Sequence, residues 1–247
     1  MQLQLSTWQE VERYLQTTTA IIIPIGSTEQ HGPNGFIGTD ALCPEVLGKA
    51  VGEETGALVA PTLSIGMAQH HLGFSGSITL RPSTLIRVVQ DVVNSLARHG
   101  FDRFYFLNGH GGNIAPLTTA FNEVYAEASL GTASSNRPPL RCKLRNWFDC
   151  TAVQRIADEA FGSSEGMHAT CSEVSLTYYA YPEHIKDVAM SPKVAPVGPI
   201  YDADDYRRRF PDGRIGSDPS LATPEIGKRL FDAAVKELSE EWRRYAA

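Results

Sequence analysis

The sequence predicts an α/β fold built on a mostly parallel central sheet with helices on both faces. Short β-branched or aromatic runs ("AIIIPIG", "GALVAPTL", "DRFYFLNG", "LRCKLRNWF") alternate with longer stretches of helical spacing, the pattern of strand–helix–strand units. The first run, Ala20 to Ile25, is apolar throughout rather than alternating, as in a strand buried on both faces of a parallel sheet. The chain has 247 residues, 42% of them hydrophobic, enough for one large domain with a sizeable core. We therefore expect a single domain spanning 1–247.

The elements follow in order. "STWQEVERYLQ" reads as a helix. Thr7 and Glu10 have capping-box spacing, and Trp8, Val11 and Leu15 share a face. The strand "AIIIPIG" closes on Gly26. Asp40 to Glu54 is helical, with Pro44 tolerated in the first turn and Leu42, Val46, Leu47 and Val51 on one side. "GALVAPTL" is a second strand. Leu85, Val88, Val89, Val92, Val93 and Leu96 mark a helix over Pro82–His99, ended by Gly100. "DRFYFLNG" is a third strand, and Asn113 can cap the helix carrying Leu117, Phe121, Val124 and Ala128. "GTASSNRPP" reads as a surface loop, "LRCKLRNWF" as a strand, and His168–Tyr181 as a helix. Pro182 to Leu221 is too rich in Pro, Gly and Asp for regular structure and too long for an idle connection. We expect it to wrap the surface or reach a neighbouring subunit. Thr223 caps a last helix with Pro224 at its first position.

The formal net charge of −6 argues against nucleic acid or anionic membrane as a partner. No apolar run reaches the ~20 residues of a membrane span, and no signal peptide is expected. The four cysteines lack C-x-x-C pairing, so reduced thiols and a cytoplasmic location are expected.

Ligands of such sheets bind at the carboxyl ends of the strands. Glu29, His31 and Asp40 follow the first strand. His110 follows the third, between glycines that leave it unobstructed. His168 and Glu173 come together in "EGMHATCSEVSL". Each of the first three also has a structural reading: loop acid, loop hydrogen-bonder and N-cap. His110 between glycines has little packing reason to exist, which favours function. His168 and Glu173 lie five apart, about 140° around a regular helix, so they work together only if His168 precedes the helix or sits in its first turn. Mixed imidazole and carboxylate donors suit zinc, manganese or iron. Five such candidates exceed the three that one catalytic ion needs and suggest two metals. A phosphate cradle at "NGHGGN" lacks the P-loop Lys and the G-x-G-x-x-G spacing. His70 and His71 either line a substrate pocket or form a loop pair. Trp147 and Phe148 either wall a flat substrate or belong to the core.

Taken together, "STEQHGP", "GTDA", "NGHGGN" and "GMHATCSEVSL" resemble the successive motifs of the creatininase family. "HHLGFSGSITLRPST" and "GSDPSLATPEIGKRL" resemble its other recurrent stretches. The resemblance implies a three-layer α/β/α sandwich, a homohexamer, and two divalent metal ions (zinc, manganese or iron) that serve cleavage of amide-type C–N bonds. It implies Glu29, His31, Asp40 and His110 as metal ligands, with Asp40 bridging, and His168 as the catalytic histidine. Some members carry an acidic ligand two places after the histidine, where this chain has Gly112. Glu173 is then the fifth ligand. His71 and Trp147 are the substrate-contact candidates. The expected reaction is attack of a metal-bridged hydroxide on a cyclic amide or formamide, with creatinine to creatine as the reference. A formamide deformylase of a flavin-type pyrimidine pathway, a peptidase-like branch, and a non-catalytic metal- or nucleotide-binding module are the alternatives.

Overall fold

The computed structural model describes residues 1–131 and 138–247. The expected loop "GTASSNRPP" therefore falls largely outside the described residues. Three parallel strands run in the order β1 (Ala20–Ile25), β2 (Arg103–Asn108), β3 (Arg141–Asn146). Their register aligns Ile25 with Asn108 and Asn108 with Asn146. All three strands thus end at one edge, and the segments that follow them start side by side.

Odd and even positions of β1 face opposite layers. Ile22 packs with α2 (Thr39–Thr55), α5 (Thr151–Phe161), α6 (Cys171–Ala180) and α8 (Pro224–Ala246). Ile21, Ile23 and Ile25 pack with α1 (Trp8–Leu15), α3 (Pro82–Arg98) and α4 (Ile114–Leu130). The result is the three-layer α/β/α sandwich. All four isoleucines are fully buried, each contributing about 1.5–3 kcal/mol of burial. β3 forms the far edge, and its Lys143 and Arg145 pair with Glu237 and Glu241 of α8.

Sequence and structure differ in four places. "GALVAPTL" forms only isolated bridges to β1. Ile22 N–H donates to Leu58 O and Ile22 O accepts from Ala60 N–H, but Pro24 then has no N–H to give. One extra residue intervenes before Leu63 N–H reaches Pro24 O. The helix α5, which buries Val153, Ile156, Ala157 and Phe161, has no counterpart among the expected elements. A short helix α7 (Ala203–Arg209) stands inside the expected irregular region. That region also turns inward. Arg214 is fully buried and donates to Pro192 O, Lys193 O, Ser217 O and Asp212, which anchors the stretch behind the sheet edge.

Two glycines set how closely α2 approaches that edge. A Cβ at Gly26 or at Gly109 would fall on the backbone carbonyl of Asp40. Gly109→Ala is expected to cost about 1–3 kcal/mol by overpacking, read as a lower urea midpoint.

Candidate active site

Asp40 is the second residue of α2. The N-cap is Gly38, without a side-chain cap, so the Asp40 carboxylate is not spent on capping. It turns instead toward the strand ends, where two histidines meet it on different oxygens. His31 Nε2 lies 3.0 Å from Oδ1, and His110 Nδ1 lies 2.8 Å from Oδ2. Each imidazole is aimed by a backbone carbonyl on its far side. His31 Nδ1 donates to Glu29 O at 3.0 Å, and His110 Nε2 donates to Met67 O at 2.9 Å. Such far-side bonds fix ring orientation in metal-ligating histidines.

The remaining carboxylates complete the group. Glu29 Oε2 is 3.3 Å from His110 Nε2, and Glu29 Oε1 is 3.0 Å from His71 Nε2. Glu173 Oε1 is 3.8 Å from His31 Nε2 and accepts the Thr170 N–H as part of the α6 capping box. His168 precedes α6. It is paired with Ile215 rather than placed on the helix, which removes the angular conflict with Glu173. Its Nδ1 lies 3.8 Å from Glu29 Oε1.

Three triads emerge: Glu29, His31 and His168; Glu29, Asp40 and His110; and His31, Asp40 and Glu173. Within each, the ligand atoms all lie within 4.8 Å of one another. The second and third share Asp40. The donor chemistry fits divalent cations, because both oxygens of Glu29 and Oδ2 of Asp40 are buried without a hydrogen-bond partner. The nearby imidazole nitrogens approach closely but miss hydrogen-bond alignment. Buried carboxylate oxygens of this kind call for a positive partner.

Charge is distributed accordingly. Burial disfavours charge on His31, yet the Asp40 and Glu173 carboxylates outweigh it and push the imidazole to about 10. His110 is likewise raised to about 9, burial being overcome by Glu29 and Asp40. Asp40 is held well below the carboxylate range, since the two histidines overcome its burial. Burial raises Glu29, and raises Glu173 to about 7. Burial lowers His168 far below its ordinary value, and lowers His71 to about 2. Protons on His31 and His110 thus balance the carboxylates of the metal-free cluster.

A cavity of about 530 Å³ opens over this group, lined by Asp40, His110, His168 and Glu173 on one side and Trp147 and Phe148 on another. Trp147 follows β3 and lines the cavity. His71 does not line it; it lies buried against Glu29. No room exists for a side chain at 112, where a Cβ would fall on His110 Nε2 and 2.6 Å from Met67 O. Two positioning features were not anticipated. Gln30 lies between Glu29 and His31, in "STEQHGP", and its role depends on contacts with Gly213, His71 and His168 far along the chain. Ser217, which donates to His168 O at 2.8 Å, and Ile215 hold His168 from the irregular region; Ser217 stands in "GSDPSLATPEIGKRL", whose residue types alone do not point to this contact.

The family model described as "Creatininase: Creatinine amidohydrolase" matches residues 4–241. The chain belongs to the creatininase family. This creatininase-family chain is 28% identical over 246 residues to a creatinine amidohydrolase of Pseudomonas putida, covering 96% of this chain and 94% of that one. It is 33% identical to a 3-dehydro-scyllo-inosose hydrolase of Thermotoga maritima, covering 94% and 76%. A mycofactocin precursor peptide peptidase of Mycobacterium tuberculosis is also 33% identical, covering 90% and 83%. Among solved structures, one described as "Creatininase Mn" superposes with a TM-score of 0.84 at 24% identity, over 99% of this chain and 98% of that one. The family assignment makes the chain an amidohydrolase-type enzyme. Among the described residues no helix is long and apolar enough to cross a membrane.

Proposed function

We propose that this chain hydrolyses a C–N bond of a small amide with two divalent cations, zinc, manganese or iron, held by the two triads that meet at Asp40. The observation that carries this reading is the sharing itself. One carboxylate turns its two oxygens to two histidines, His31 and His110, and belongs with a different glutamate in each group, beside a cavity. Glu29 and His110 would hold one cation and His31 and Glu173 the other, with Asp40 common to both. Cations bound there supply Lewis acidity toward a carbonyl oxygen and a water molecule.

The chain's own residues do the rest. Water adds to the amide carbonyl, and the C–N bond breaks as its nitrogen gains a proton. His168 is held neutral at the cavity wall by burial, so it is able to take the proton from the water and return it to the departing nitrogen. Trp147 and Phe148 form an apolar wall suited to a flat amide. Creatinine is the reference substrate; a formamidopyrimidine is the alternative. The reading also takes residues 1–247 as one catalytic domain, assembled as a homohexamer in the cytoplasm.

The test is turnover of creatinine, a formamidopyrimidine and simple cyclic amides by chelator-treated protein, before and after zinc or manganese is restored. Metal-dependent release of one product supports the reading. Tight metal retention with no hydrolysis of any of them favours a binding module instead.

Metal uptake should itself release protons. His31 and His110 must lose theirs to become ligands, and Glu173, raised to about 7, gives up part of another, so more than two protons leave per protein at neutral pH, read by titration in weakly buffered solution. Affinity for metal therefore rises with pH. The metal-free protein shows the opposite sign. Stability from these two imidazolium groups is fully present below their ordinary 6.5 and is lost as pH rises through about 9 and 10.

A further inference from the structure

We propose that Gln30 is a positioning residue that holds His168 and His71 as their Nε2–H tautomers, so that His168 turns an unprotonated Nδ1 toward the carboxylate cluster. The inference rests on the reading of His168 as the proton carrier.

Backbone groups decide the orientation of the Gln30 amide. Its Oε1 accepts the Gly32 N–H at 2.8 Å, and its Nε2 donates to Gly213 O at 2.9 Å. A peptide N–H only donates and a peptide carbonyl only accepts, so the amide cannot be reversed. One hydrogen of the Gln30 NH2 remains. His71 Nδ1 and His168 Nε2 both lie 2.9 Å from the amide nitrogen. His168 Nε2 is also 2.8 Å from the backbone carbonyl of Gln30. That contact requires a proton on Nε2, which then has no lone pair to offer the amide. The Tyr206 hydroxyl, which donates to Gly213 O at 2.8 Å, is an acceptor for the amide only at 3.4 Å, against 2.9 Å for His71 Nδ1. The remaining amide hydrogen therefore goes to His71 Nδ1.

Both tautomers follow. His71 accepts at Nδ1, so its proton is on Nε2, the atom 3.0 Å from Glu29 Oε1. His168 carries its proton on Nε2, which leaves the Nδ1 lone pair facing the cluster, 3.8 Å from Glu29 Oε1. The two rings stack with centroids 4.4 Å apart and planes at 28°, an arrangement suited to two neutral imidazoles. Gln30 thus serves His168 twice, by its own carbonyl and by diverting its amide hydrogen to His71. His168 begins the cycle as a proton acceptor at Nδ1 and becomes a donor only after the water has been deprotonated.

The test is nitrogen-15 NMR of the zinc-loaded full chain with labelled histidine, the signals assigned by their loss in His71→Gln and His168→Gln. The expected spectrum has Nε2 protonated and Nδ1 unprotonated in both rings. A proton on Nδ1 of either ring, or averaging between tautomers, overturns the inference. Gln30→Glu supplies a second readout. Its carboxylate still accepts from Gly32 but cannot donate to Gly213 or to His71. The His71 ring should take a proton at Nδ1, and kcat should fall about 10–100-fold with KM unchanged. Unaltered histidine signals and unaltered kcat in Gln30→Glu also overturn it. If that variant does not fold, the wild-type spectrum alone decides. Full turnover by His168→Ala would instead remove the proton-carrier reading and leave the tautomer result standing.

Discussion

Asp40→Asn should lose both metals and reduce turnover to background. The replacement keeps size and removes charge from the one side chain common to the two proposed cation triads. Even partners outside the ligand sphere are worth about 10–100-fold in metal affinity, so loss of a shared ligand should exceed about 100-fold at each position. Metal content after dialysis and activity with added metal are the two readouts. The fold should survive, because Asp40 does not cap α2, and a circular dichroism spectrum checks this. Retention of two metals by Asp40→Asn would mean that the carboxylate is not the bridge.

His168→Ala should separate binding from chemistry. The proposed ligands remain, so metal content should match wild type, while kcat falls about 10²–10⁴-fold, the usual worth of a general acid–base. His168 is held through backbone contacts with Ile215 and Ser217, which the substitution preserves. Substrates whose leaving nitrogen is a weaker base need less help from an acid and should suffer less. Equal loss across leaving groups would place the residue's role in binding rather than proton transfer.

The parts of the fold legible in the sequence are those whose cause is local. Thr7 and Glu10 form the expected capping box, and Thr223 caps the last helix as its spacing foretells. The apolar β1 is buried along its whole length. Candidate residues were legible for a different reason. Glu29, His31, Asp40 and His110 stand just past strands, and a parallel sheet brings those ends together. Their arrangement around Asp40 depends on Gly26 and Gly109 admitting α2, a tertiary contact that no single segment encodes. The second strand failed because Pro24 withholds a donor from its neighbour, a property of the partner rather than of "GALVAPTL" itself. The inward course of 203–218 depends on the burial of Arg214, against the usual behaviour of arginine. His71 reads as a pocket residue by its place in a loop, yet lies behind Glu29.

The most direct test of the two-cation site is anomalous X-ray scattering from crystals grown with manganese or zinc. The account predicts two anomalous peaks, one beside each carboxylate oxygen of Asp40, the first against Glu29 and His110 and the second against His31 and Glu173. A single peak, or metal bound away from Asp40, would contradict it.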